Sequence, residues 1–337
     1  MLTQIAEIRD LMLRAMKLRQ IRPDDAELLA DDYLDAELAG SLAHGLSKFL
    51  LIDYALAAPR AEPIVISQRG AIAHIDGRRQ LGQLAAFKAA SLAAEIALRE
   101  GVGLVTLVNC SRYSRLAPYV AAIADKGLAA IVTNNAGPRA VAPYGAREPI
   151  LGTNPIAFGF PGADGPLVID FSTAQQVWGE IRQATLEDRQ LAPDAFIDAD
   201  GNLTANPTEV EAVLAFGGHK GSALCLAVEL LAGLVAGAQM GLAVRTEYDL
   251  GALFLAFELS QPLVADSNTH MSRLLSDIRS AKPLAGNSAV LVPGDRSNGQ
   301  RAAAVDAGYL DVKDETLQML RTMAAGDTGL RGGRLTT

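Results

Sequence analysis

Cysteine is scarce here: 337 residues contain only Cys110 and Cys225. Two cysteines cannot build a disulfide framework. Neither has a metal-type spacing and both lie in apolar surroundings, so they read as small buried hydrophobes. The four histidines, His44, His74, His219 and His270, are too dispersed for a metal cluster, and no H-E-x-x-H occurs. No run of basic residues marks a phosphate-backbone groove, and the formal charge is −8, which argues against nucleic acid as a partner. The longest apolar run, SALCLAVELLAGLVAGA at 222–238, contains Glu229 and is short for a membrane span, so it predicts a buried helix and no membrane partner. Also missing are G-x-G-x-x-G after a strand, G-x-x-x-x-G-K-[ST] and G-x-S-x-G. These absences exclude the common dinucleotide fingerprint, the P-loop and the nucleophile elbow.

The chain is long enough for two domains. In MLTQIAEIRDLMLRAMKLRQ, Ile5, Ile8, Met12 and Met16 recur at three and four, which predicts an amphipathic helix and not a signal peptide. A soluble, cytoplasmic protein is expected. Pro23, the acidic Asp24, Asp25 and Glu27, and Gly40 punctuate a second helix. A third is expected from about Ala43 towards Leu56. IVISQRGAIAHIDG reads as strands joined at Arg69-Gly70, with His74 structural, and an alanine-rich helix runs from Gln80 to about Glu100. Short apolar runs at 103–109, 128–135, 154–161 and 166–173 read as strands, with a helix over roughly 116–125. Further strands are expected at 251–259 and 287–295, a loop-rich stretch at 181–216, an amphipathic helix at 268–282 and closing helices. The alternation predicts an α/β domain with functional residues at strand ends.

Two constellations could carry chemistry. In GGHKG (217–221) three glycines flank His219 and Lys220 before a helix, a candidate phosphate or dinucleotide site or simply a tight turn with a surface lysine. In AHGLSKF (43–49), a helix would put His44 and Lys48 four apart on one face, a proton donor beside an anion anchor.

AHGLSKF, TNNAGPRAVAPYGAREPILGTNP, LGTNPIAFGFPG, LVIDFSTAQQVWGEI, GGHKGSALCLAVELLAG and the turn in AVLVPGDRS together resemble the type 2 malate/L-lactate dehydrogenase family, in order and spacing, over roughly residues 5 to 320. The resemblance implies an α/β fold with a non-Rossmann, mostly antiparallel sheet in the cofactor domain and a helical lobe formed from both chain ends. It divides the chain into an N-terminal lobe over 1–75, a cofactor domain over 76–265, a returning segment over 266–325 and a flexible tail over 326–337. It also implies NADPH or NADH as cofactor, a small carboxylate substrate, a homodimer and no metal. By the same resemblance His44 is the general acid, Asp198 an aspartate near the active site, and Lys48 stands where an arginine usually holds the substrate carboxylate. Thr153, Asn154, Pro155, Asp170, Ser172, Thr173, His219, Lys220, Pro293 and Gly294 fall on cofactor-contacting segments.

The departures carry information. Ala43 replaces a serine, Arg112 replaces a site histidine, and Tyr113-Ser114 replaces Phe-Gly. Arginine cannot exchange a proton near neutral pH, but it binds carboxylates bidentately, so Arg112 is expected to take over anion recognition. Acid catalysis then rests with His44 and Asp198. Losing a titrating histidine favours a cyclic imine such as Δ1-piperideine- or Δ1-pyrroline-2-carboxylate, which is already protonated. A linear 2-oxo acid is the alternative substrate, and a catalytically silent, cofactor-binding paralogue is the alternative outside enzymes.

Overall fold

The computed structural model describes residues 1–137, 139–259 and 267–327. The chain divides into two units, residues 1–60 with the segment from Arg273 on, and residues 61–272. The chain starts with β1 (Leu2–Gln4), α1 (Ile5–Leu18), α2 (Pro23–Leu38), α3 (Leu46–Phe49) and α4 (Ile52–Leu56). Ile8, Leu11, Met12, Ala15 and Met16 form the buried stripe of α1, as its spacing predicts. Pro23 sits in the first turn of α2 beside Asp24 and Asp25.

The second unit runs through β2 (Ile64–Arg69), β3 (Ile72–Asp76), α5 (Gly82–Glu100), β4 (Val102–Val108), α6 (Ala117–Ala124), β5 (Leu128–Asn134) and β6 (Val141–Ala142). It continues through β7 (Ile156–Phe160), β8 (Leu167–Phe171), α7 (Gly179–Leu186), β9 (Phe196–Ile197), β10 (Ala212–Leu214), α8 (His219–Ala232) and β11 (Gly251–Glu258). The chain returns through α9 (Ser267–Arg279), α10 (Asp295–Ala307), β12 (Tyr309–Asp311) and α11 (Asp314–Ala324).

Seven strands form one sheet in the order β2-β3-β4-β11-β5-β7-β8. Only the β3–β4 pair is parallel, and the other five are antiparallel. The late strand β11 lies at the centre, between β4 and β5. Against this sheet α5 presents a buried run of alanines from Ala85 to Ala97. Small side chains let the helix approach β4 until a Cβ on Gly103 would lie 2.1 Å from the Ala93 carbonyl oxygen. Tyr119, Phe254, Val105 and Val132 fill the same core. A second core gathers Val141, Phe196, Val213 and Cys225 beneath α8.

Several expectations are corrected. Residues 43–56 are not one helix: a turn carries His44, α3 starts at Leu46, and Gly45 (φ −90°, ψ −128°) lies outside helical space. The Glu37 carboxylate takes the Leu46 amide at 2.8 Å and packs where a Gly45 Cβ would be. The helix expected at 222–238 starts at His219 and stops at Ala232. Gly221, Cys225, Val228, Glu229 and Ala232 face inward, while Leu226, Leu230 and Leu231 are exposed, so an apolar run is not here a buried helix. Residues 287–295 form no strand. Asp295 accepts the Val292 amide at 2.9 Å and pairs with Arg279, which turns the segment directly into α10. The stretch 181–216 holds most of α7 and two short strands, β9 and β10. At the chain ends β1 pairs with β12, a contact no local pattern announces. The β2–β3 hairpin stays with the sheet through the β3–β4 ladder, so the units divide near 60 and 273 where 75 and 266 were expected. Residues 328–337, most of the expected tail, lie outside the described residues.

The first unit is held by Arg19, whose guanidinium pairs bidentately with Asp53 (Nη2–Oδ2 2.7 Å) and donates to the carbonyls of Ala15, Met323 and Asp327. Both side chains are buried, at 9% and 7% exposure. Removing one partner strands a buried charge, so Asp53→Asn is expected to lower stability by about 3 kcal/mol in urea unfolding. Among the described residues no helix is long and apolar enough to cross a membrane.

Candidate active site

His44 lies in the turn between α2 and α3, half-buried, its amide donating to the Ser41 carbonyl at 2.8 Å. Lys48 follows within α3, also half-buried. With His44 outside the helix, the four-residue spacing no longer puts the pair on one helical face. The sequence proximity remains.

Arg112 stands on the loop after β4, which is pressed against the start of α5. Gly82 donates to Ser111 Oγ at 3.0 Å, and a Cβ on Gly82 would lie 2.2 Å from the Ser111 carbonyl oxygen. The Arg112 side chain is 46% exposed, with Nε 4.0 Å from Glu247 Oε2. That separation is an ion pair without a hydrogen bond, so its donors remain available to an anion. Next to it the Tyr113 hydroxyl accepts from Asn134 Nδ2 at 2.9 Å, and Cys110 is buried, its thiol pushed up to about 12 by desolvation. Burial likewise raises Cys225, to about 11, so both cysteines are packed, un-ionised groups.

The expected cofactor segments largely converge. Ser172 Oγ and Thr173 Oγ1 donate to the Thr153 carbonyl at 2.8 and 3.1 Å, and Thr173 Oγ1 also reaches the Asn154 carbonyl. Asn154, fully buried with φ +39°, accepts from the Ala136 amide and donates to the Cys225 carbonyl and to Glu229 Oε2 (2.7 Å). Phe216 donates to the Thr173 carbonyl at 3.1 Å, which brings the glycine turn alongside. In that turn Gly217 (φ +61°) and Gly218 (φ +63°) lead into α8, and His219 packs edge-on at 5.9 Å against Tyr144. Glycines in left-handed space ahead of the positive end of a 14-residue helix, with Lys220 exposed in its first turn, suit a phosphate-bearing cofactor.

Asp170 and Asp198 take no part in this knot. Asp170 turns its carboxylate to the Leu116 and Ala117 amides at the start of α6, and burial pushes it above the usual carboxylate range. Asp198 closes its own loop by accepting the Asp200 and Asn202 amides (3.0 and 2.9 Å), which hold it below that range. A carboxylate so committed stays ionised and is a poor proton donor. Pro293 and Gly294 form the turn that caps α10, with Gly294 at φ +93°.

Sequence reasoning missed Glu229 and Glu37 as supports. Glu229 takes Asn154 on one oxygen and the Gly241 amide (2.8 Å) on the other. The signal was present: one carboxylate in an apolar run must be paired if it is buried.

A sequence profile described as malate/L-lactate dehydrogenase matches residues 3–321. The malate/(S)-sulfolactate dehydrogenase of Methanothermus fervidus is 31% identical, over 86% of this chain and 88% of that one. The Δ1-pyrroline-2-carboxylate/Δ1-piperideine-2-carboxylate reductase of Pseudomonas syringae pv. tomato is 35% identical, over 68% of this chain and 70% of its own. Among solved structures, the sulfolactate dehydrogenase of Methanocaldococcus jannaschii superposes with a TM-score of 0.86 at 27% identity, over 96% of this chain and 97% of that one.

Proposed function

We propose, for a chain that belongs to the malate/L-lactate dehydrogenase family and is an NAD(P)-dependent oxidoreductase of 2-oxo or 2-imino acids, that it reduces a small cyclic 2-imino acid, with His44 as proton donor and Lys48 and Arg112 as anion anchors. The nicotinamide supplies a hydride to the carbon next to the carboxylate. The chain's own residues orient the acid and deliver the proton. Gly217, Gly218 and Lys220 would hold the cofactor phosphates, with Thr153, Asn154 and Thr173 supporting that surface from below. The observation that carries the substrate assignment is Arg112. It is 46% exposed on a pinned loop, and as a permanent cation it binds carboxylate without exchanging a proton. A cyclic imine is protonated before it is reduced, so one titrating side chain serves it. The relatives named as pyrroline- and piperideine-carboxylate reductases support this reading, and those named for malate and sulfolactate support a linear 2-oxo acid as the second one.

Oxidation of NADPH and NADH is measured with Δ1-piperideine-2-carboxylate and with pyruvate. Faster turnover of the imine is expected, and turnover of the ketone alone overturns the choice. Arg112→Ala is expected to raise the substrate KM by about 10- to 100-fold while kcat moves little. A kcat loss of the same size with KM unchanged contradicts the anchoring role. The exposed Leu226, Leu230 and Leu231 on α8 favour a homodimer, for which light scattering should give twice 35.4 kDa.

A further inference from the structure

The loop from Cys110 to Leu116 forms neither helix nor strand, yet three attachments hold it. At its start the Ser111 amide donates to the Gln80 carbonyl, and Ser111 Oγ accepts the Gly82 amide, both at 3.0 Å. At its end the Leu116 and Ala117 amides donate to Asp170 Oδ2 at 3.0 and 2.8 Å. Midway, the Tyr113 hydroxyl accepts from Asn134 Nδ2 at 2.9 Å. The last two attachments lead to the segments proposed to carry the cofactor. Asn134 ends β5, and its own amide donates to the Pro155 carbonyl at 3.3 Å, beside Thr153 and Asn154. Asp170 lies two residues before Ser172. A loop without regular structure keeps one conformation only while such bonds offset its conformational entropy.

Within the loop, neighbouring side chains divide the work. Arg112 is exposed, whereas the Tyr113 ring packs against the core of the sheet, edge-on at 5.9 Å to Tyr119, itself 6.0 Å from Phe254. So wedged, the ring brings its hydroxyl to the end of β5 at a fixed place. Burial pushes that hydroxyl well above its ordinary range, and it stays an un-ionised acceptor near neutral pH. Asn134 is buried, at 7% exposure, so loss of the acceptor would leave its amide group with an unmet donor. The Glu247 ion pair, at 4.0 Å, is too long to orient Arg112. The aim of the arginine therefore follows the backbone that carries it, and the Tyr113 hydroxyl fixes that backbone at the adjacent residue.

We propose that Tyr113 is a positioning residue: through its bond to Asn134 it sets the aim of Arg112 against the cofactor segments, and with it the grip on the substrate carboxylate. This rests on the placing of Arg112 at the substrate given above.

Pyridine-2-carboxylate, a flat analogue of a cyclic imine, and oxamate, an analogue of a linear 2-oxo acid, both carry that carboxylate. Neither turns over with oxidised cofactor, so calorimetry can follow their binding to the enzyme saturated with NADP+ or NAD+. Tyr113→Phe is expected to weaken binding about fivefold. Asn134→Ala should repeat the loss, and the two together should add nothing further. Arg112→Ala should weaken binding about 10- to 100-fold, and in that background Tyr113→Phe should change affinity less than about twofold. A hydroxyl that only stabilised the fold would cost the same factor in both backgrounds. Wild-type affinity in Tyr113→Phe, or a fivefold loss undiminished in Arg112→Ala, overturns the inference. If Arg112→Ala weakens binding and Tyr113→Phe does not, the anchoring role of Arg112 stands and the inference alone fails. If Arg112→Ala binds both probes as the wild type does, or neither probe binds the wild type, the anchoring role fails and takes the inference with it.

Discussion

Gly221→Ala is expected to destabilise the chain by more than about 4 kcal/mol and to abolish cofactor binding. A Cβ at this position would lie 1.6 Å from the Phe216 carbonyl oxygen and 2.8 Å from its carbon. Alanine in place of glycine gains about 1 kcal/mol of helix propensity, and the overlap with backbone exceeds that gain. Phe216 cannot retreat cheaply, because its amide is bonded to the carbonyl of Thr173, whose hydroxyl joins Thr153 and Asn154. The displacement would pass directly into the segments proposed to carry the cofactor. Gly299→Ala in α10 is the control: nothing lies within 4 Å of its Cβ, and a gain of about 0.5–1 kcal/mol is expected. Urea unfolding and NADPH titration of both variants check this. A Gly221→Ala protein within 1 kcal/mol of wild type that still binds cofactor would show that the turn is not needed.

His44→Asn removes the proposed proton donor while keeping a polar side chain of similar reach. For a ketone substrate kcat is expected to fall by about 10³-fold with KM within a few-fold, the loss characteristic of a missing general acid. For a cyclic imine the fall should be about tenfold or less, because the nitrogen already carries the proton. The ratio of the two losses is the informative quantity. Equal losses on both substrates would assign His44 to binding or to the shape of its turn. Glu37, which fixes that turn through the Leu46 amide, makes the latter testable: Glu37→Ala should lower both activities together.

What the sequence made legible follows from the range of the forces involved. Helix starts and stops at Pro23, Gly40 and Gly101 are local, and so they were readable. The central place of β11 depends on partners more than 100 residues away and was not. The same split runs through the site. GTNP and GGHKG were recognisable as motifs, but the knot that unites them depends on Glu229, one helix turn beyond Cys225. The turn of His44 was misread as helix because Glu37, seven residues earlier, decides where α3 starts.

The central claim is hydride transfer from a nicotinamide to the carbon beside a carboxylate. The most direct measurement uses NADPH and NADH deuterated at C4 on either face, with the product of Δ1-piperideine-2-carboxylate or of a 2-oxo acid analysed by mass spectrometry and NMR. One deuterium at C2 of the product, delivered from a single face of the cofactor, is the expected result. Cofactor that binds to the purified protein but yields no labelled product from any imine or ketone would contradict it.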